Sequence, residues 1–299
     1  MDKNIIITVD IEPDYNICIK NGFLGVKYVI PQILNILDEF DIKGEFFVTS
    51  DVILKFNNLM KNICKEHILG SHSYHHEELA YKKINFNANI KVFPKIINSL
   101  YIYKKRSYKE QFTILQNATY IFKKYLSYNP ISFRAPYFSA NGDTIKILEK
   151  LGYKYDSSIL HGKYDKQFNI FPVYDFRQVF TDPYYPDYND ISKKGNSKIL
   201  EFPVTENLFL KRSPLGIGYL NLFGIKNTLK IIDKMNKCLY ITFLIHPYEL
   251  LNLKLYYPKY RNILPKYCKN NLIEFRTLIN ELYNNGYNFI TLKDVINMI

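Results

Sequence analysis

Short apolar runs alternate with stretches of helical period along this chain. Residues 5–9, Ile-Ile-Ile-Thr-Val, form a β-branched run with little polar alternation, the pattern of a strand buried on both faces, and it stops at Asp10-Ile11-Glu12-Pro13-Asp14. Over residues 28–40 the period changes. Val29, Ile30, Ile33, Leu34, Leu37 and Phe40 follow helical spacing, with Pro31 in the first turn, where its missing N–H is tolerated. Gly44 closes this helix, Phe46-Phe47-Val48 reads as a second strand, and a helix from about residue 51 leads to a third strand at Ile68-Leu69.

The later chain repeats the theme with two interruptions. Residues 77 to about 128 read as a long, mostly helical connection before Ser132-Phe133; a helix near 144–151 and strand character at 153–155 follow. Residues 160–197 are rich in Tyr, Asp, Pro, Asn and Lys without a period, and are predicted to form a long loop over one end of the domain. Strands near 199–204 and 239–245 flank a helix near 225–236, and the tail alternates helix, a strand at 288–291 and a last helix. Roughly seven or eight short strands alternating with helices predict a parallel barrel or a doubly wound sheet. The 299 residues, 47% of them hydrophobic, suffice for one large core, so a single domain spanning 1–299 is expected, with insertions near 80–128 and 160–197.

Composition narrows the class of protein. The sequence contains no apolar run of about 18 residues or more, and Met1-Asp2-Lys3-Asn4 passes straight into the first strand without the layout of a signal peptide, so a cytoplasmic location is expected. Four scattered cysteines, Cys18, Cys64, Cys238 and Cys268, have no metal-binding or redox spacing. The formal charge of +12 sits largely in dispersed lysine pairs such as Lys82-Lys83 and Lys104-Lys105, and no nucleic-acid-binding motif accompanies it. It would suit peripheral contact with an anionic membrane face.

Residues fit for catalysis or metal binding follow several of the strand-like runs. They are Asp10 and Glu12, then His72 and His76, then Arg134, then Asp156, and last His246. In a β/α barrel the C-terminal strand ends carry the chemistry. Imidazoles at i and i+4 in His72-Ser73-Tyr74-His75-His76 would share one side of a helical turn and could meet one ion; His75 offers an i+3 alternative. Asp10, Glu12 and Asp14 are candidates for the carboxylate that would complete a hydrolytic ligand set. Asp156, next to Ser157 and Ser158, could equally cap a turn, and Tyr15, Tyr74 and Phe138 could line a groove or pack.

Taken in order, Thr8-Val9-Asp10-Ile11-Glu12, His72-Ser73-Tyr74-His75-His76, Arg134-Ala135-Pro136-Tyr137 and Leu244-Ile245-His246 resemble the sequential motifs of the polysaccharide deacetylase family of carbohydrate esterases. Tyr155-Asp156-Ser157-Ser158 and His246-Pro247-Tyr248-Glu249 resemble a bacterial branch of it. The resemblance implies a distorted (β/α)7 barrel and a divalent metal, usually zinc, held by one carboxylate and two histidines. Carried over by position, Asp10 is the catalytic base, Glu12, His72 and His76 are the ligands, and Arg134 orients Asp10. Pro136 sets the turn that offers the Tyr137 backbone N–H to the substrate, His246 is the general acid, and Asp156 pairs with His246.

The activity so implied is hydrolysis of an N-acetyl amide on an amino sugar in a glycan or glycan precursor. Two alternatives belong beside it: removal of formyl from a lipid-linked amino sugar, and sugar binding without catalysis.

Overall fold

The computed structural model describes residues 3–15, 18–92, 95–168, 170–235 and 238–298, with the backbone alone over 85–101. Strand β1 (Asn4–Ile11) is buried along its whole length, as its unbroken apolar run requires. A π-helical turn (Gly25–Val29) opens α1 (Ile30–Glu39), which buries Ile30, Ile33, Ile36 and Leu37. Then come β2 (Glu45–Val48), a pair of helices α2 (Ser50–Lys55) and α3 (Asn57–Glu66), and β3 (Ile68–Ser71).

Strands β4 (Tyr81–Val92) and β5 (Lys95–Lys105) form an antiparallel ribbon. This corrects the mostly helical reading of 77–128. Ile84, Phe86, Ala88, Ile90 and Val92 repeat every second residue, a strand period masked by the polar residues between them. Helix α4 (Tyr108–Ile121) begins at a capping box in which the Ser107 side chain accepts from Glu110 N and Glu110 accepts from Ser107 N.

Next are β6 (Ser132–Phe133), α5 (Gly142–Leu151) and β7 (Tyr155–Asp156). The segment read as loop contains a second antiparallel hairpin, β8 (Tyr164–Gln167) and β9 (Phe171–Asp175), before β10 (Leu200–Glu201). Helix α6 (Ile217–Lys234) begins earlier than its sequence period suggests and breaks at Gly224, whose φ of 75° is readily adopted only by glycine. Strand β11 (Ile241–Ile245), α7 (Leu253–Tyr256), α8 (Leu272–Asn284), β12 (Asn288–Phe289) and α9 (Leu292–Ile296) complete the chain.

Strands pair in parallel in the order β10-β7-β6-β3-β2-β1-β11, with β12 also on β1. The edge strands β10 and β11 do not ladder together. Instead Thr205 N donates to Thr242 Oγ1 at 2.8 Å, Thr242 N donates to Thr205 Oγ1 at 2.9 Å, and Leu244 N donates to Leu215 O at 2.9 Å. These bonds draw the sheet into a curled barrel, while direct parallel pairing of β11 with β1 sets the strand that leads to His246 beside the one carrying Asp10. Among the described residues no helix is long and apolar enough to cross a membrane.

Candidate active site

Side chains alternate along β1, so Thr8, Asp10 and, just past the strand end, Glu12 face the same way, into the barrel. Arg134, following β6, is fully buried beneath them. Its Nη1 donates to Asp10 Oδ1 at 2.8 Å and Thr8 Oγ1 at 3.2 Å; Nε and Nη2 donate to Ser157 O and Oγ at 3.1 and 3.0 Å. The guanidinium lies 4.3 Å from the Phe47 ring centroid. A buried arginine with each of these donors engaged holds one oxygen of Asp10 rigidly and leaves the other for chemistry.

His72 and His76 converge on Glu12, though not through a helical turn. Ser73 and His76 adopt left-handed backbone, φ 68° and 60°, and Glu77 holds the turn by accepting from Ser73 Oγ at 2.6 Å and His75 N at 3.0 Å. His72 Nε2 lies 3.3 Å from Glu12 Oε2, and His76 Nε2 meets the same oxygen. The opposite nitrogen of His72, Nδ1, is 2.8 Å from the Arg134 carbonyl oxygen, which can only accept. Nδ1 therefore carries the proton and Nε2 keeps its lone pair for the centre.

Glu12 Oε2 is buried without a hydrogen bond of acceptable geometry, yet one donor atom from each of Glu12, His72 and His76 lies within 4.8 Å of the others. One carboxylate and two imidazoles in this arrangement fit a divalent cation. Burial works to raise the Glu12 pKa, but the charge of His76, the close approach of both imidazoles and the charge of His246 hold it well below the ordinary range. The two alternatives drop out. His75 is exposed and pairs with Asp51 at 3.6 Å, while Asp14 accepts from Leu24 N, Gly25 N and Tyr257 Oη, where it anchors the start of the π-helical turn.

His246, following β11, brings Nε2 to 4.0 Å from Asp10 Oδ2, the distance that also separates Asp10 Oδ2 from His72 Nε2. Behind it, His246 Nδ1 lies 3.3 Å from Glu249 Oε2, and His246 N donates to the same oxygen at 3.2 Å. Burial would lower the His246 pKa, but the charge of Glu249, with those of Glu12 and Asp10, raises it to about 10. The expected pairing with Asp156 is not found. Asp156 is fully buried, accepts from Ser158 Oγ at 2.5 Å and adjoins Glu201.

Burial raises Asp156 to about 6, and burial with the charge of Asp156 raises Glu201 well above the carboxylate range. The neighbouring serines act on the site instead. Ser157 receives Arg134, and Ser158 Oγ accepts from Ala135 N at 2.8 Å. Glu249 was visible in the sequence as an acid three residues after a histidine at a turn, but it was not assigned there.

Pro136 starts a tight turn in which Tyr137 and Phe138 both have left-handed backbone, φ 55° and 53°. The Tyr137 ring sits 4.6 Å from that of His76. Lys163, from the segment before β8, donates through Nζ to Tyr137 O at 2.7 Å and Phe138 O at 3.1 Å, and so pins the turn. Burial lowers the Lys163 pKa to about 8, with Asp165 opposing. No periodicity or motif singled out this lysine. Phe138 lines the cavity over the site, whereas Tyr15 and Tyr74 pack against the core.

That cavity, of about 450 Å³, is floored by Asp10, Glu12, His72, His76 and His246. Its walls come from the two interruptions of the barrel, Tyr81, Lys83 and Tyr103 on the ribbon and Lys163, Tyr164 and Tyr174 around the hairpin, together with Arg212.

A family model for polysaccharide deacetylases matches residues 1–155. Over 56 residues the chain is 39% identical to a peptidoglycan-N-acetylglucosamine deacetylase of Bacillus cereus, a match spanning 18% of this chain and 20% of that protein. Among solved structures, a polysaccharide deacetylase-type protein from Mycobacterium smegmatis is similar with a TM-score of 0.60 at 15% identity, covering 99% of this chain and 89% of that one. Puue allantoinase gives 0.58 at 11% identity, over 98% and 88%. BA3943, a CE4 family pseudoenzyme from Bacillus anthracis, gives 0.51 at 13% identity, over 98% and 65%. At these identities the likenesses establish the fold, the expected (β/α)7-type barrel. With just over half of its 299 residues matched by the family model and the barrel in place, the chain belongs to the polysaccharide deacetylase family.

Proposed function

We propose that this protein is a metal-dependent hydrolase that removes an N-acetyl group from an amino sugar in a glycan or glycan precursor. The observation that carries the reading is the position of Asp10 Oδ2, 4.0 Å from His72 Nε2 on one side and 4.0 Å from His246 Nε2 on the other. A carboxylate held by arginine thus stands between a metal-ligand set and a protonated imidazole. Amide hydrolysis needs a base for water and an acid for the departing nitrogen.

Glu12, His72 and His76 would hold the cation, zinc by their chemistry, which would supply Lewis acidity toward the acyl oxygen and lower the pKa of a bound water. Asp10 accepts the proton of the attacking water, and Arg134 holds Asp10 fixed through Oδ1. Oxygen bonds to the acyl carbon, the C–N bond breaks, and His246 Nε2 gives its proton to nitrogen, leaving acetate and a free amine. Glu249 behind Nδ1 favours the protonated ring before that transfer. The turn at Pro136, pinned by Lys163, would offer the Tyr137 backbone N–H to the developing oxyanion.

The test is release of acetate and formate from a panel of N-acylated sugars and lipid-linked sugars by metal-loaded protein, with Asp10→Asn and His72→Ala alongside. Acetate release lost in both variants supports the proposal. Formate release alone would replace it with deformylation, and a metal-loaded protein silent on the whole panel would favour sugar binding without catalysis.

A further inference from the structure

Two loop tips beside the cavity mouth expose large apolar side chains to water. At the turn of the β8–β9 hairpin Phe168 is 47% exposed, Ile170 67% and Phe171 62%. In the loop before α6, Leu208, Phe209 and Leu210 are exposed consecutively. The bases of the two loops meet at the cavity. Tyr164 and Arg212 both line it, with the Arg212 guanidinium 5.5 Å from the Tyr164 ring centroid. The ribbon β4–β5 adjoins the same hairpin, since Tyr103 N donates to Gln167 Oε1 at 3.1 Å. Clustered phenylalanine, isoleucine and leucine at loop tips beside an active site contribute nothing to the core and mark a docking surface.

Charge selects the occupant. The two strands of the ribbon, β4 and β5, carry six lysines and no aspartate or glutamate in their sequences, which is half of the chain's formal net charge of +12. Around the tips stand Lys166, Arg177, Lys211, Arg212 and Lys234, of which Arg177 pairs with Asp175 and Lys211 with Glu206, while Lys234 lies 5.2 Å from the Phe209 ring centroid. Apolar tips that enter the acyl boundary, surrounded by cations that remain among headgroups, fit an anionic bilayer better than a protein surface. We infer that the cavity face of this protein docks on an anionic lipid surface, with Phe168, Ile170, Phe171 and Leu208, Phe209, Leu210 as its insertion points. The cavity would then open toward the membrane. This inference stands apart from the proposed amide hydrolysis, because vesicle binding is read without turnover.

The experiment is co-sedimentation of the full chain with vesicles of phosphatidylcholine alone and of phosphatidylcholine containing roughly one third phosphatidylglycerol, at low and raised salt. It includes the double variant Phe168→Ser/Phe171→Ser and the single variant Phe209→Ser, each checked for an unchanged thermal melt. The expected result is binding to the anionic vesicles that weakens with salt and falls by about tenfold or more in the double variant. Failure of the wild type to distinguish the two vesicle types would overturn the inference, as would variants that bind like the wild type. A concentration-dependent dimer abolished by the same double substitution would also overturn it, by assigning the apolar tips to a second copy of the chain.

Discussion

Replacement of Glu249 by glutamine isolates the electrostatic part of the proposed acid. The variant keeps the length and shape of the side chain, and the carbonyl of residue 249 stays tied by Asn221 Nδ2 at 2.7 Å and Lys269 N at 3.0 Å, so the turn should survive. What is lost is one negative charge 3.3 Å from His246 Nδ1. At that separation the interaction with an imidazolium is about 1 kcal/mol in a water-like dielectric and about 5 kcal/mol at the effective value of about 20 typical of partly buried pairs. The His246 side chain is 22% exposed, which places the pair between these limits.

The corresponding drop in the His246 pKa is roughly one to three units. The raised ring is protonated, and so competent as an acid, up to about pH 10 in the native protein. Removing Glu249 therefore moves the alkaline limb of kcat/KM to lower pH, with activity near pH 6 least affected. The assay is kcat/KM for acetate release from a soluble N-acetylated chito-oligosaccharide across the pH range, with Asp156→Asn as the comparison. An alkaline limb that stays in place in Glu249→Gln, or one that moves in Asp156→Asn instead, would refute the reasoning.

Two further outcomes follow from the same geometry. His76→Ala should weaken zinc binding by more than the about 10- to 100-fold typical of losing an outer-shell partner, whereas His75→Ala should leave it unchanged; metal content after dialysis against a graded chelator separates the two. Glu45 is buried on β2, and burial, opposed by hydrogen bonds from Tyr155 and Ser132, raises it to about 7. A carboxyl raised in the folded state favours folding when protonated, so native stability falls as pH rises from the unfolded value near 4.5 through 7. Glu45→Gln, which keeps an acceptor for Tyr155 Oη, should therefore gain about 3 kcal/mol relative to the native protein between pH 4 and pH 8, in urea melts at the two pH values.

The barrel and the residues that converge on its cavity floor were legible because each rests on local pattern. An unbroken β-branched run has to be a buried strand, a polar residue directly after it has to lie at the strand end, and the ordered motifs identify the family. What was missed depends on partners remote in sequence. Asp156 looked suited to His246, but the strand order places it against Glu201 on the neighbouring strand and leaves the histidine to an acid three residues away. Lys163 bonds to residues more than twenty positions earlier, inside a segment with no period to read. The His72–His76 turn was predicted as helical because i and i+4 meet in a helix. Left-handed Ser73 and His76 reach the same convergence by another route, one that spacing alone does not distinguish.

The two-residue step from Asp10 to Glu12 has a consequence for how the family's chemistry tolerates change. The proposed proton acceptor, Asp10, lies on β1 where it pairs with β2, and the proposed ligand, Glu12, follows one residue past the strand end, so their separation is a repeat distance of extended backbone rather than an adjustable contact. Removing or adding a single residue at Ile11 would turn one carboxylate out of the barrel while leaving the other inside. Variation in acyl group or sugar must then come from the walls, where the ribbon and the hairpin can change length without altering the spacing of the reacting groups.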